Sequence, residues 1–75
     1  MGQMHTLDRG GDQRIMWDAT VPDEVAAARR TFDDLTGKGY LAYRATGKMG
    51  DQGDQIRTFD PDAERIILVR PNAGG

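Results

Sequence analysis

The chain has 75 residues and no cysteine, so disulfide bonds, thiol catalysis, iron–sulfur clusters and thiolate zinc sites are excluded. Its one histidine, His5, has no metal-ligand spacing around it and is predicted to be a surface residue. No histidine-based triad is recognisable in the sequence either. We expect a chain with no enzymatic activity of its own and no bound metal.

Long apolar runs and a strong excess of one charge are also missing. With 37% hydrophobic residues and a mean hydropathy of -0.66, the chain has too little apolar sequence for a membrane span. A net charge of -2 argues against nucleic acid or an anionic membrane as a partner. The first residues lack the basic and apolar regions of a secretory signal, so the expected compartment is the cytoplasm.

Two short strands are predicted before the single helix. Residues 1–12 show a weak alternation that ends at Gly10 and Gly11, which favours a first strand and a tight turn, although a frayed terminus is the alternative. Residues 14–18 alternate more clearly, with Ile15 and Trp17 on one face. This part of the chain is therefore predicted to form a hairpin.

The helix signal is the clearest local one. Thr20 is a candidate cap and Pro22 suits the first turn, where its missing N–H is harmless. The helix should end by about residue 37, because Gly37 and Gly39 can adopt left-handed geometry there. Apolar residues at helical spacing predict one buried stripe, formed by Val25, Ala28, Phe32 and Leu35.

The second half of the chain reads as further strands. Residues 40–45 predict a strand, residues 47–54 a mobile glycine-rich connection and residues 56–59 a brief strand. Residues 60–62 predict a turn. The apolar run 65–69 is typical of a strand covered on both faces and is the candidate for the centre of the sheet.

This order of elements predicts an α+β fold in which one helix packs on a mixed sheet of four to five strands. At this length the chain has room for one hydrophobic core. The layout is that of a β-grasp, with residues 1–70 as the folded domain. The five aromatic residues are predicted to lie mostly in its core.

The chain ends with a segment that cannot continue the last strand. Pro71 removes a backbone donor, and Gly74 and Gly75 have no side chain. Residues 71–75 are therefore predicted to form a thin flexible tail that ends in a bare carboxylate. The alternative is an ordinary frayed terminus.

The stretch 63–75 resembles the C-terminal end of the sulfur-carrier and ubiquitin-like β-grasp proteins, particularly the small subunit of molybdopterin synthase. Their pattern is an acidic residue, an aliphatic strand, a spacer with proline, a small residue and Gly-Gly. The positions that match it in order are Glu64, residues 66–69, Pro71, Ala73, Gly74 and Gly75.

The resemblance implies a protein that is a substrate for another enzyme. An E1-like adenylating enzyme would join the Gly75 carboxylate to AMP, with Gly74 lying extended in a narrow channel. The activated glycine would then be thiocarboxylated or transferred to a target. Arg70, Pro71 and Ala73 would form the partner-binding part of the tail. The implied partners are the E1-like enzyme and either target proteins or a synthase large subunit; ATP is used by the enzyme, and no cofactor is bound by this domain.

A non-catalytic adaptor of the same fold is the alternative function. Its sheet surface would bind a protein partner, and its tail would have no role. For the activating enzyme, the resemblance implies a docking patch on an exposed sheet face that carries a subset of Tyr43, Ile15 or Leu41, although plain packing in the sheet would also explain these residues.

Other candidate sites are weaker. The acidic residues do not follow calcium-loop spacing, and the Gly-Lys pairs at 37–38 and 47–48 lack the order of a phosphate-binding loop. Solvated charges and turns explain them better. Lys38 and Lys48 are the chain's lysines, and the sequence leaves open whether they act as acceptors for conjugation.

Overall fold

The structure, a computed structural model, describes residues 2–8, 11–45 and 53–70. This part of the chain forms a small α+β fold in which one helix packs on a five-stranded mixed sheet. The elements in chain order are β1 (Gly2–Asp8), β2 (Gly11–Trp17), α1 (Pro22–Gly37), β3 (Leu41–Ala45), β4 (Asp54–Ile56) and β5 (Arg65–Val69).

The sheet has the strand order β2-β1-β5-β3-β4. β1 pairs antiparallel with β2 and parallel with β5, whereas β3 pairs antiparallel with both β5 and β4. The prediction that residues 65–69 form the central strand is confirmed. The weak first strand is confirmed as well, because β1 gains hydrogen-bonded neighbours on both sides.

One face of the sheet and the apolar stripe of α1 form the core. Ala28 and Phe32 of the predicted stripe are fully buried, and Val25 and Leu35 pack at its margin. Alternation along the strands turns every second side chain toward the helix. The buried core cluster consists of Met4, Trp17, Ala28, Phe32, Ala42, Phe59, Ala63, Ile66 and Leu68.

Three aromatic rings occupy the centre of this core. The ring of Phe59 lies 5.0 Å from that of Trp17 and 5.8 Å from that of Phe32, between ring centroids. The tilted arrangements are those that aromatic quadrupoles favour. The indole N–H of Trp17 donates a hydrogen bond of 3.0 Å to the carbonyl of Pro61, so the ring anchors the turn before β5.

The helix begins at Pro22 as predicted, but Thr20 does not cap it. Val21 is the N-cap residue and makes no side-chain cap. The Thr20 hydroxyl instead donates to the carboxylate of Asp18 at 2.7 Å, and the Asp18 backbone N–H donates to the side chain of Glu24 at 2.9 Å. The Thr20 hydroxyl is therefore bound by the carboxylate of Asp18, a local contact that competes with capping of the helix.

The helix ends at residue 37 as predicted, but only one of the two glycines has left-handed geometry. Gly37 is the last helical residue, whereas Gly39 has a φ of 102° and supplies the left-handed geometry that redirects the chain. The N–H of Tyr40 then donates to the carbonyl of Leu35 at 3.1 Å. The chain leaves α1 directly toward β3.

The prediction of a strand over residues 56–59 is wrong in its position. β4 ends at Ile56, and the chain bends at residues 57 and 58. Ile56 and Phe59 are three positions apart and cannot share a face of one regular strand. The bend lets Phe59 reach the core, where it is 8% exposed. The predicted turn at 60–62 is confirmed, and most of the predicted connection 47–54 lies outside the described residues.

Candidate functional site

The last strand delivers the chain to one end of the sheet. Val69 is flanked by Leu7 of β1 and Leu41 of β3 through the two registers of β5. Arg70 follows immediately and is exposed. The end of β5 is therefore at the surface, beside the end of β1 and the start of β3.

The structure describes one of the tail residues singled out in the sequence. Arg70 lies directly after β5, where a partner-binding tail should begin. The other candidates, Pro71, Ala73, Gly74 and Gly75, lie outside the described residues. Their roles therefore remain predictions.

The sheet surface opposite the helix, called the open face here, carries an apolar patch at this same end. Leu7 is 43% exposed and Leu41 is 38% exposed. In the next row of the sheet, Ile67 lies between His5 and Tyr43. The apolar patch is defined as Leu7, Leu41, Tyr43, Ile67 and Val69.

The expectation that both faces of the last strand are covered is wrong. Ile66 and Leu68 are fully buried against the helix side, whereas Ile67 and Val69 remain partly exposed on the open face. The single helix α1 covers one face of the sheet. A continuous aliphatic run here supplies both a core and an outward apolar surface.

The predicted docking residues divide between the two faces. Tyr43 and Leu41 lie on the open face, as a docking surface requires. Ile15 does not: its alternation with Arg14 and Met16 places it on the helix side, where it packs against the core. The prediction for Ile15 is therefore wrong, because it shares its face with the buried Trp17.

The sequence reasoning missed three residues of the apolar patch, Leu7, Ile67 and Val69. A signal for all three was present in their parity within each strand. The register that sets Leu7 beside Val69 and His5 beside Ile67 places odd positions of both strands on one face, because side chains alternate with a period of two. The uncertain first strand obscured this relation for Leu7.

The open face is apolar with a positive rim. Among strand residues whose side chains the structure describes, the charged ones on this face are Arg14 and Arg65. His5 lies between Arg14 and Ile67 in the sheet, and its Nε2 atom is 3.1 Å from the Oε1 atom of Gln3. The positive charge of these two arginines contrasts with the net charge of -2 of the whole chain.

The strongest ion pair lies away from this end of the sheet. The guanidinium of Arg44 donates to the carboxylate of Asp60 at 2.8 Å, and the Asp62 backbone N–H donates to the same side chain at 2.9 Å. These contacts hold the pKa of Asp60 below its ordinary value, with the Arg44 hydrogen bond as the main cause. Because Arg44 pairs with Ile66, near the start of β5, this pair supports the fold rather than the tail.

Within the described residues, no group of three potential metal ligands lies together. The described helix is also too short and too polar to cross a membrane.

The chain matches no protein-family model, no curated protein and no solved structure.

Proposed function

We propose that this chain is a β-grasp protein modifier or sulfur carrier whose Gly75 carboxylate is activated by a separate E1-like enzyme. The observation that carries the proposal is the position of β5. The central strand ends beside an exposed apolar patch, and the Gly-Gly segment follows after a short spacer. A partner docked on the patch would therefore have the tail within its reach.

The sheet topology supports the β-grasp part of the proposal. An antiparallel hairpin leads into α1, which carries the chain across the sheet to β3, and the last strand pairs parallel with the first. β2 and β3 run in the same direction, and a crossover between such strands needs a long connection, which α1 supplies. The arrangement leaves the C-terminal end of the central strand open.

The tail has the length and composition for insertion into another active site. Five residues, 71–75, follow Arg70, and an extended chain of that length spans at most about 18 Å. Two terminal residues without Cβ atoms allow a narrow channel to close around the backbone. The carboxylate can then approach a nucleotide phosphate without a side-chain clash.

The activating enzyme catalyses the reaction, and the Gly75 carboxylate of this chain is the nucleophile in its first step. A Gly75 carboxylate oxygen forms a bond with the α-phosphorus of ATP, and pyrophosphate leaves. A sulfur or amine nucleophile of the partner system then bonds to the Gly75 carbonyl carbon, loses its proton and releases AMP. Sulfide as the nucleophile gives a thiocarboxylate, a thiol gives a thioester, and an amine gives an amide.

The apolar patch is the proposed docking surface for the activating enzyme. Its partly exposed side chains surround Val69, one residue before Arg70. Burial of such side chains contributes about 25 cal/mol per Å² of apolar surface removed from water. Docking energy gained there would hold the tail in place for the reaction.

The patch also favours the second candidate, a non-catalytic adaptor that binds a protein partner through the open face. Leu7 and Leu41 are large apolar residues with more than a third of their surface exposed. An adaptor needs this face but not the terminal carboxylate. Blocking the carboxylate therefore separates the two functions.

The test compares the full chain with a synthetic version that ends in a C-terminal amide. With a candidate E1-like enzyme from the same organism, we expect the carboxylate form to support ATP–pyrophosphate exchange and to gain an adenylate, thioester or thiocarboxylate at Gly75. The amide form should support no ATP–pyrophosphate exchange and gain no modification at Gly75. An Asn72→Ala variant is the matched tail control and should remain active.

If no adenylating enzyme of that organism modifies either form, the proposal is contradicted and the adaptor is favoured. Equal ATP–pyrophosphate exchange by the two forms would also contradict it.

A pair of patch variants tests the docking surface. We expect Leu7→Glu to raise the KM for activation at least about tenfold, because it removes binding shared by ground and transition states. Met16→Glu, at the far corner of the open face, should leave KM unchanged.

A further inference from the structure

The helix-facing side of the sheet has a groove that neither the tail nor the apolar patch uses. It has a volume of about 570 Å³ and lies between the second half of α1 and the strands β1 and β2. Ligand sites of proteins usually have volumes of about 300–1,000 Å³. The groove is therefore large enough for a small organic molecule.

Thr6 of β1 lies at the floor of this groove and is only 4% exposed. Its hydroxyl makes no hydrogen bond to the part of the chain that the structure describes. In that same part of the chain, no polar side-chain atom is both sealed from solvent and without a hydrogen bond. The Thr6 hydroxyl oxygen therefore belongs to the small exposed part of the residue, which opens into the groove.

The hydroxyl of Thr6 has no structural use among the described residues. A buried hydroxyl that lacks a hydrogen bond within the protein lowers stability, because it loses contacts with water. Valine is equally suited to a strand and would fill this position without that cost. A molecule that enters the groove can supply the missing hydrogen-bond partner, because a hydroxyl both donates and accepts.

The rim of the groove has an excess of one positive charge among the described residues. Lys38 and Asp34 form an ion pair there, with 3.4 Å between the ammonium nitrogen and a carboxylate oxygen. Arg30 lies on the same rim and has no ion-pair partner in the described part of the chain. Its guanidinium fits the two oxygens of a carboxylate. The carboxylate of Asp34 repels a second negative charge, so a singly charged anion matches this rim better than a phosphate ester.

The groove also has an apolar part and a second hydrogen-bonding group. Leu35 lines the helix side, is partly exposed and packs at the margin of the core. An aliphatic group of a ligand would remove its remaining apolar surface from water. Gln13 lies beside Thr6 in the sheet, and its side-chain amide can pair with an amide of a ligand.

We propose that this groove binds a small N-acylated amino acid with an aliphatic side chain. The carboxylate of the ligand pairs with Arg30, its amide bonds to the hydroxyl of Thr6, and its aliphatic group covers Leu35. N-acetyl-leucine has these three groups and serves as the probe. The ligand contacts neither the tail nor the apolar patch around Val69, so this proposal does not depend on activation of Gly75.

The test uses isotope-labelled full-length protein followed by NMR. We expect N-acetyl-leucine to bind with a Kd on the order of 1 mM and to shift the signals of residues 6, 13 and 30–38. N-acetyl-leucine amide lacks the negative charge and should bind at least about fivefold more weakly. Inorganic phosphate should bind more weakly than N-acetyl-leucine. A hexapeptide that ends in the same leucine should bind no more tightly; tighter binding by the peptide would overturn the assignment to a small molecule.

Thr6→Val separates a binding role from a structural role. The variant should bind N-acetyl-leucine about five- to tenfold more weakly, because one hydrogen bond is lost, while its midpoint of urea denaturation stays equal or rises. Arg30→Gln should weaken binding at least about fivefold. Arg29→Gln is the matched control and should bind like the parent, because Arg29 is the exposed neighbour on α1 and does not line the groove.

Deletion of Gly74 and Gly75 should leave binding unchanged, which separates this proposal from the function of the tail. The proposal is overturned if N-acetyl-leucine leaves the signals of the groove unshifted, or if the shifts centre on the apolar patch. Binding of the amide or of phosphate as tight as that of the acid would overturn it as well. So would unchanged binding by Thr6→Val, or a clear loss of stability in this variant, which would assign the hydroxyl to the fold.

Discussion

Two glycines of this chain should respond in opposite ways to the same substitution. A Cβ atom on Gly2 would lie 2.3 Å and 2.4 Å from two indole carbons of Trp17 and 2.8 Å from the carbonyl oxygen of Ala63. A Cβ atom on Gly37 would meet no atom within 4 Å. Gly2→Ala therefore forces a rearrangement of the core, whereas Gly37→Ala adds a methyl group in open space.

The magnitude of the Gly2→Ala effect follows from how firmly the indole is held. Carbon atoms pack at about 3.5–4.0 Å, so the Trp17 ring must move by more than about 1 Å. The ring is held by its hydrogen bond to Pro61 and by its contact with Phe59. Overpacking of this kind costs about 1–3 kcal/mol. For a domain of this size, that lowers the midpoint of thermal unfolding by roughly 4–24 °C.

Gly37→Ala should have no effect or stabilise the protein. Gly37 is the last residue of α1, and glycine in a helix is less favourable than alanine by up to about 1 kcal/mol. Because this position is at the helix end, we expect a gain below that limit. The free energy of unfolding should therefore stay equal to that of the parent or rise slightly.

The measurement is urea denaturation followed by far-ultraviolet circular dichroism. Fluorescence of Trp17, the only tryptophan, gives an independent signal from the site of the clash. Gly2→Ala should unfold at a lower urea concentration with an altered emission of the folded state. The reasoning is refuted if Gly2→Ala is as stable as the parent protein, or if the two variants shift in the same direction by the same amount.

Three further substitutions test other contacts of the fold. Trp17→Phe removes the hydrogen bond to the Pro61 carbonyl and should cost about 1–3 kcal/mol by circular dichroism; a smaller loss would mean that the contact contributes little. Asp60→Asn should cost at most about 1 kcal/mol, because Arg44 is partly exposed. Because the pKa of Asp60 is lowered in the folded state, the stability difference between the parent and Asp60→Asn should be complete above about pH 5 and shrink as the pH falls through and below about 4. Growth of this stability difference toward low pH would contradict the assignment. Gly53→Ala should destabilise by about 1–3 kcal/mol, because its φ is 76° and a Cβ would lie 2.6 Å from the Arg44 carbonyl oxygen; unchanged thermal stability would argue against this conformation.

Some features of the proposed site depend on local sequence, and others depend on contacts between distant parts of the chain. The terminal Gly-Gly and the spacer before it are visible in the sequence. The apolar patch is not, because Leu7 belongs to a weakly patterned strand and Val69 to a run that is apolar at every position. Pairing of β1 with β5 is what brings these two residues side by side.

By itself, the sequence determined the features that depend on neighbouring residues. The bounds of α1, its buried stripe and the apolar character of β5 follow from periodicity over a few turns or a single strand. Tertiary structure alone decided which strands pair, which face of β5 stays open and that β2 forms a long free edge in the described part of the chain. The reason is physical: helix hydrogen bonds join residues four positions apart, whereas the hydrogen bonds of a sheet join segments distant in the chain, and the side chains of a strand change face with every residue.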